Sequence, residues 1–511
     1  MQNNIGLFLA KRAFLNPHLE AVVEPNRGRR FTYSELDRRA NKVANALRAS
    51  GVGKGDRVAL LLTNGVEFVE TFLAVAKIGA VVVPLNWRLV PDELEFILKD
   101  SGSRTLVFAG DFSVAVTELH SRGAKTDVSE WVQLGGDVAP FALDYAAWTA
   151  AALDASPTIA GSDDDNLFIM YTSGTTGLPK GVVHTHSTVL WGLLTIAATA
   201  DVCFRDVYLI SLPLFHVGAL GPALANIYKG ATMIVPAGFD PKQTWELFRD
   251  EKVTSGLLVP AMLQFMLAVQ PVDSDASTVR WIMSGAAPVP VTLIKAYESL
   301  GVEIHQVYGL TETCGPACLI SPDDALTRAG STGKAFFHTN VRVVDEDGGD
   351  CAPGQPGEVL VQGPHVMKEY WNRPDATATT IRDGWLHTGD IATMDEDGFV
   401  TIMDRVKDML ISGGENVYPA EIENVLLANP AVADAAVIGV PSARWGESPL
   451  AIIVRKDPAL TEAAVIEGCK GRLAPFKMVK AVRFVDEIPR NPTGKILKRV
   501  LRDQFDSVAT D

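Results

Sequence analysis

The segment Tyr171-Thr-Ser-Gly-Thr-Thr-Gly-Leu-Pro-Lys-Gly181 follows the apolar run Leu167-Phe-Ile-Met170 and leads into Val182-Val-His-Thr-His186. The apolar residues on both sides predict two strands joined by a glycine-rich loop. Gly174, Gly177 and Gly181 let backbone approach an anion closely. The hydroxyls of Thr172, Ser173, Thr175 and Thr176 offer donors, and Lys180 adds a positive charge. This is not the Walker pattern. Leu178 and Pro179 separate Gly177 from Lys180, Gly181 stands where a metal-binding Ser or Thr would be, and a strand rather than a helix is expected to follow. On residue chemistry alone, a phosphate cradle and a plain Ser/Gly turn are both open.

Outward from the loop, Leu36, Ala40, Val43, Ala44 and Leu47 recur at helical spacing, and Gly51, Gly53 and Gly55 end that helix. Arg57-Val-Ala-Leu-Leu-Leu62 reads as a buried strand, residues 66–78 as a helix, and Ala80-Val-Val-Val-Pro84 as a second buried strand. Such alternation implies a mixed α/β sheet, and the lack of a short repeat excludes a solenoid or propeller. Ala160-Gly-Ser-Asp-Asp-Asp165 is a polar connector. Late in the chain, Gly398-Phe-Val-Thr-Ile-Met403 reads as a strand and Asp404-Arg-Val-Lys-Asp408 as a charged break. Beyond it, Pro419 opens a helix with Ile422, Val425 and Leu426 on one face, and strands are expected near residues 435–440, 451–454 and 482–485. The expected class is α/β, with a large N-terminal domain over 1–403, a hinge at 404–408 and a small α+β domain over 409–511.

The chain has 511 residues, 47% hydrophobic and 21% charged, which excludes a disordered or coiled-coil protein. Its formal net charge of -15 argues against general nucleic-acid binding, although a local anion site is compatible with it. The five cysteines are scattered and odd in number, so no disulfide framework is expected and a reducing, cytoplasmic setting is. Cys314 and Cys318 have the spacing of one helical turn, but two thiols without further ligands make a poor metal site. The N-terminus lacks the charge order of a signal peptide. Residues 207–228 carry no acid, Lys or Arg, yet Pro213, His216, Gly218, Gly221 and Pro222 interrupt them. That pattern suits a buried strand, turn and helix better than a membrane span. Peripheral membrane contact and oligomeric state are left open.

The string at 172–181 closely resembles the signature loop of the adenylate-forming superfamily, which includes acyl-CoA synthetases, luciferases and peptide-synthetase adenylation domains. Further strings match that family in order, so the resemblance spans essentially the whole chain. In Gln306-Val-Tyr-Gly-Leu-Thr-Glu-Thr313, Tyr308 offers a flat face for adenine, Thr311 a hydroxyl for phosphate and Glu312 a hard oxygen ligand. Read alone, the string is equally a strand end with a capping Thr and a surface Glu. The resemblance assigns phosphate to Thr311 and Mg²⁺ to Glu312, with Gly309 beside nucleotide and acid. It also places the backbone of Gly285, Ala286 and Ala287 along the adenine. Asp390, in Trp385-Leu-His-Thr-Gly-Asp390, matches the family's ribose-binding aspartate, and Arg405 is positioned for ribose or phosphate oxygens. Lys407 matches the hinge, where many relatives have Asp and others Lys. Gly413 and Gly414 match the loop that enters the site for thioester formation. Lys495, in Pro489-Arg-Asn-Pro-Thr-Gly-Lys-Ile-Leu497, matches the lysine that reaches the α-phosphate.

The resemblance implies a mobile C-terminal lid domain and a multi-subdomain N-terminal adenylation domain with mixed sheets. It implies a two-step reaction in which a carboxylate displaces pyrophosphate from ATP, and CoA thiol then displaces AMP. Ser211-Leu-Pro-Leu-Phe-His-Val-Gly218 resembles the acid-binding segment of acyl-CoA synthetases. Amino-acid-activating relatives carry an Asp there; this chain has Phe215-His216. His216 is therefore expected as an aromatic gate or carboxylate-polarising group, with a packed, hydrogen-bonded histidine the equal alternative. Val217, Gly218 and Ala219, with Trp191 opposite, leave room for an apolar tail. The overall pattern is most like bacterial fatty-acyl-CoA ligases. Aryl or cinnamoyl acids and a separate carrier-protein acceptor are the alternatives.

Overall fold

The computed structural model describes residues 3–172, 179–286, 289–405, 408–412, 415–442, 444–470, 472–473, 477–490 and 496–510. The expected alternation of helix and strand is present: helix Tyr33–Ala49, strand Arg57–Leu61, helix Val66–Lys77 and strand Val81–Pro84. Helix Tyr33–Ala49 begins at a capping box, in which Thr32 accepts from the Glu35 backbone and Glu35 from the Thr32 backbone. Every residue of helix Val66–Lys77 is buried, as its apolar sequence requires.

Two large sheets organise the first four-fifths of the molecule. In one, strands Glu303–Tyr308, Trp281–Ser284, Ser255–Leu257, Val207–Leu209, Thr232–Ile234 and Glu20–Glu24 lie parallel in that order. In the other, Asn166–Thr172, Val81–Pro84, Arg57–Leu61, Thr105–Ala109 and Glu130–Leu134 are parallel neighbours. Strand Lys180–Thr185 folds back antiparallel on Asn166–Thr172, so the glycine-rich loop joins two strands, as expected. Glu369–Tyr370 pairs on its far side.

A layer of helices lies between the sheets, with Phe68, Phe72, Leu193 and Leu220 packing in one core with Val58, Phe168, Tyr208 and Met233. Along Arg57–Leu61, Val58 and Leu60 enter this inner core, while Ala59 and Leu61 enter an outer one under Leu94 and Leu98. Both faces are thus buried, which is why the strand reads as a continuous apolar run. Trp245, Phe248 and Ile294 cover the outer face of the other sheet.

A third, antiparallel sheet contains Asn340–Val344, Gly357–Gln362, Trp385–Met394 and Val400–Arg405. The expected strand near residue 403 therefore runs on through Asp404 and Arg405, because backbone pairing with Ile391 and Asp390 outlasts the apolar pattern. The small C-terminal domain has its own sheet of Leu410–Ser412, Glu415–Val417, Gly446–Arg455, Val432–Ser442 and Ala481–Phe484, with helix Pro419–Leu427 packed on it. Its α+β character agrees with the sequence reading.

One spacing inference is corrected. Cys314 and Cys318 do not share a helical turn. Cys314 follows the 3₁₀ turn Thr311–Thr313 in a left-handed conformation, and Cys318 begins strand Cys318–Leu319. Residues 207–228 fold as strand Val207–Leu209, a turn and helix Val217–Lys229. Among the described residues, no helix is long and apolar enough to cross a membrane.

Candidate active site

The carboxyl ends of parallel strands commonly open onto a ligand crevice, and several strands of this molecule end together. Trp281–Ser284 and Glu303–Tyr308 are neighbours, and glycine follows each. A Cβ on Gly285 would stand 2.3 Å from the Val307 carbonyl oxygen, and one on Gly309 1.4 Å from that of Gly315. Only glycine admits these approaches. Ala286 sits at φ +67°.

Tyr308 ends its strand with its hydroxyl donating to Asp390 Oδ2 at 2.7 Å. Burial and the nearby carboxylate raise the phenol's pKa. Asp390 comes from Trp385–Met394, where its backbone partner is Arg405. The fold thus brings Tyr308, Asp390 and the Arg405 backbone together from separate strings.

Thr311 and Glu312 lie on the 3₁₀ turn just beyond. The Glu312 carboxylate accepts from the Tyr370 hydroxyl at 2.8 Å, and the Lys180 ammonium lies 5.0 Å from the centre of the same ring. Tyr370 therefore links the base of the glycine-rich loop to Glu312. Lys180 is the cross-strand partner of Thr172, so both ends of the loop are fixed in register. The loop's base is braced further by Asp100, which accepts from Tyr171 and from Arg373 at 2.7 Å each.

Sequence reasoning gave no role to Tyr370, His184 or His365. His184 Nε2 lies 2.7 Å from the Thr311 carbonyl, and His365 Nδ1 2.9 Å from that of Thr313. Burial pushes both imidazoles down to about 4, so they are neutral near pH 7. For His184 the available signal was a histidine within an apolar strand, which calls for a buried partner without identifying it; His365 lies in a turn and carried no such signal.

His216 is the residue before helix Val217–Lys229, its ring 4.5 Å from that of Phe215, which Trp87 meets edge-on. Burial, assisted by Arg88, pushes its pKa down to about 4. Its Nε2 is buried without a hydrogen-bond partner among the described residues. The hydrogen-bonded packing alternative is therefore not what is seen for that nitrogen. Val217 begins an apolar slot between helices His186–Thr199 and Val217–Lys229, lined also by Val189, Leu193, Leu220 and Leu224, with Cys314 contributing. A Cβ on Gly192 would approach Cys314 Sγ to 3.2 Å, so glycine keeps the slot open. Its water-sized space is only about 10 Å³. Gly218 lies beside Leu212 at the same helix start. Trp191 does not line the slot; its ring packs 5.2 Å from that of His338.

Mg²⁺ takes hard oxygen ligands and usually keeps waters and nucleotide phosphates around one or two protein carboxylates. Glu312, held by Tyr370 beside Thr311, fits that role, and no group of three or more His, Cys, Asp or Glu able to hold a metal ion occurs among the described residues. Ser173, Gly174, Thr175, Thr176, Gly177, Ala287, Lys407, Gly413, Gly414 and Lys495 lie outside the described residues.

The chain matches the family described as AMP-binding enzyme over residues 9–371, and AMP-binding enzyme C-terminal domain over residues 421–495. It is 45% identical over 504 residues to the long-chain-fatty-acid–CoA ligase FadD13 of Mycobacterium tuberculosis strain H37Rv, covering 98% of each chain. It is 40% identical over 506 residues to feruloyl-CoA synthase of an Amycolatopsis species, covering 98% of this chain and 99% of the other. The solved Mycobacterium tuberculosis fatty acyl CoA synthetase superposes with a TM-score of 0.81 at 43% identity, covering 99% of each chain.

Proposed function

The chain belongs to the AMP-binding enzyme family, and from that premise we propose that it is an AMP-forming ligase joining a fatty acid to CoA through an acyl-adenylate. What supports the choice of acid is the 45% identity to the long-chain-fatty-acid–CoA ligase over 98% of each chain, together with the apolar side chains of Val217, Leu220 and Leu224 on the helix that follows His216. The relatives named for fatty acid and for ferulate leave an aryl acid as the second reading, favoured by the ring cluster of Trp87, Phe215 and His216 just before helix Val217–Lys229.

A carboxylate resists attack because an oxide is a poor leaving group, and conversion to a mixed anhydride with AMP removes that obstacle. In this reading the loop from Thr172 to Lys180, including Ser173, Gly174, Thr175, Thr176 and Gly177, holds the β- and γ-phosphates. Tyr308 faces the adenine, bordered by the backbone of Gly285, Ala286 and Ala287. Asp390 accepts from the ribose hydroxyls, and Arg405 reaches ribose or phosphate. The acid lies along His216, Val217, Gly218 and Gly309. The neutral His216 donates a hydrogen bond to one carboxylate oxygen and leaves the other to attack the α-phosphorus as pyrophosphate departs. Thr311 orients the α-phosphate, and Lys495 neutralises charge developing there. Mg²⁺, with Glu312 as its protein ligand, supplies charge neutralisation at the phosphates when bound.

The second step uses another arrangement of the small domain. Rotation about Lys407 withdraws Lys495 and brings Gly413 and Gly414 to the acyl-adenylate, where CoA sulfur attacks the carbonyl and AMP leaves. Arg444 and Lys480 lie 5.0 and 5.3 Å from the Trp445 ring, a cation–aromatic cluster suited to the nucleotide end of CoA. This supports CoA over a carrier protein. The free thiols at all five cysteines support a cytoplasmic location.

AMP release measured over straight-chain and aryl acids, with and without CoA, tests the reading. Turnover is expected to need CoA and to be fastest with fatty acids. Lys495→Ala is expected to suppress adenylation far more than thioester formation from preformed acyl-adenylate. Equal loss in both steps contradicts the domain exchange, and a preference for aryl acids selects the second reading.

A further inference from the structure

The turn Thr311–Thr313 has three consecutive carbonyl oxygens, and each meets a donor from elsewhere in the chain. His184 Nε2 reaches Thr311 O at 2.7 Å, Met367 N reaches Glu312 O at 2.7 Å, and His365 Nδ1 reaches Thr313 O at 2.9 Å. A carbonyl only accepts, so the proton sits on Nε2 of His184 and on Nδ1 of His365. The opposite nitrogens then accept: His184 Nδ1 from Thr188 Oγ1 at 3.1 Å and His365 Nε2 from Thr339 Oγ1 at 2.7 Å. Each ring is held at both ends, and both are fully buried. Neither ring touches the Glu312 or Thr311 side chain in any hydrogen bond of the described residues, so their reach into the site runs through the turn's backbone.

We propose that His184 and His365 are positioning residues that set the Thr311–Glu312 turn for nucleotide and metal, by pinning the carbonyls just before and just after Glu312. The inference rests on the roles assigned above to Thr311 and Glu312. Outer partners that orient a metal ligand typically contribute about 10- to 100-fold to affinity or activity. Here the two histidines hold the main chain on either side of Glu312, and Tyr370 holds its carboxylate. A shift of the turn would move both the phosphate hydroxyl and the metal carboxylate, so the effect belongs to the adenylation step.

The geometry also makes a chemical prediction that simple packing would not. A glutamine amide nitrogen stands where histidine Nε2 does, and an asparagine amide nitrogen where Nδ1 does. His184→Gln and His365→Asn therefore keep the donor, whereas His184→Asn and His365→Gln misplace it. The test measures adenylation against Mg²⁺ and ATP concentration, and separately thioester formation from preformed acyl-adenylate. His184→Leu and His365→Leu are expected to lower kcat/KM for ATP in adenylation by about 10- to 100-fold, mostly through KM and with a raised Mg²⁺ requirement. The thioester step should stay within about 2-fold, and the matched amides should recover most of the loss while the mismatched amides do not. Folded leucine variants with unchanged KM, equal losses in both steps, or equal rescue by both amides would overturn the proposal. If the leucine variants do not fold, the two amide pairs still decide it. Glu312→Gln separates the premises: unchanged Mg²⁺ dependence there refutes the role of Glu312, while a loss there with unaffected histidine variants refutes only the positioning.

Discussion

At 4% exposure the Asp390 side chain has surrendered most of its water, and the Tyr308 hydroxyl, 2.7 Å from Oδ2, makes up part of that loss. A buried carboxylate with an aromatic neighbour is a ready acceptor for paired hydroxyls, because binding them costs little further desolvation. Hydrogen bonds to charged groups are worth about 1.5–3 kcal/mol, roughly a factor of 10 to 100 in binding. Asp390→Ala should therefore raise KM for ATP by about 100-fold. Tyr308→Phe keeps the ring and removes one donor, so it should cost about 10-fold or less. ATP–pyrophosphate exchange across ATP concentrations reads both. A larger effect of the tyrosine change would mean that Asp390 serves the tyrosine rather than the nucleotide.

At the scale of elements, Gly309 shows how two backbone segments close the site. An added Cβ would fall 1.4 Å from the Gly315 carbonyl oxygen, which cannot rotate away as a side chain would. Gly309→Ala must push the Thr311–Thr313 turn off its strand, and overpacking of this kind costs about 1–3 kcal/mol. Thermal unfolding should show a lower midpoint, and adenylation should fall by more than the loss of folded protein explains. A variant with parental midpoint and activity would show that the turn accommodates the methyl. The same close approaches explain what was legible beforehand. Read alone, the strings around Lys180, Tyr308 and Thr311 left a plain turn or a capped strand end open; because each string, that of Asp390 included, is contiguous, the family resemblance could still assign its residues roles. The strand pattern was legible too, since buried parallel strands read as apolar runs. What escaped detection depends on pairings over long separations. Tyr370 and Glu312 are 58 residues apart, and His184 and Thr311 are 127 apart. The register that sets Tyr370 opposite Val182 is itself a pairing across a long separation, which no local spacing encodes. The slot between helices His186–Thr199 and Val217–Lys229 was only half anticipated for the same reason: Trp191 points its packing at His338, a residue far along the chain.

Across the whole molecule, buried histidines tie stability to pH through the docking of the N-terminus. His186 Nδ1 accepts from the Ile5 backbone at 3.1 Å, while Asn4 donates to the carbonyls of Ala76, Ala160 and Gly161. Burial pushes His186 down to about 4 despite the nearby carboxylates of Asp165 and Asp163, and pushes His216 down likewise. An unfolded histidine takes up its proton near 6.5, so between there and about 4 the unfolded chain binds protons that the folded chain refuses. Stability is therefore complete above the unfolded value and is lost as the pH falls, at about 1.4 kcal/mol per pH unit for each histidine. Glu70 acts in the opposite sense, because burial raises its pKa and the folded state gains from its protonation. Glu130 is raised by burial in the same way, but these two carboxyls stand against His184, His186, His216 and His365, all held at about 4, so a net loss remains. The urea midpoint should accordingly fall between about pH 7 and about pH 5. His186→Asn retains an acceptor where Nδ1 stood but cannot titrate, so its midpoint should fall less over the same range. A variant as acid-sensitive as the parent would exclude His186 from the effect, and a parental midpoint independent of pH would mean that the folded protein lets water reach these rings.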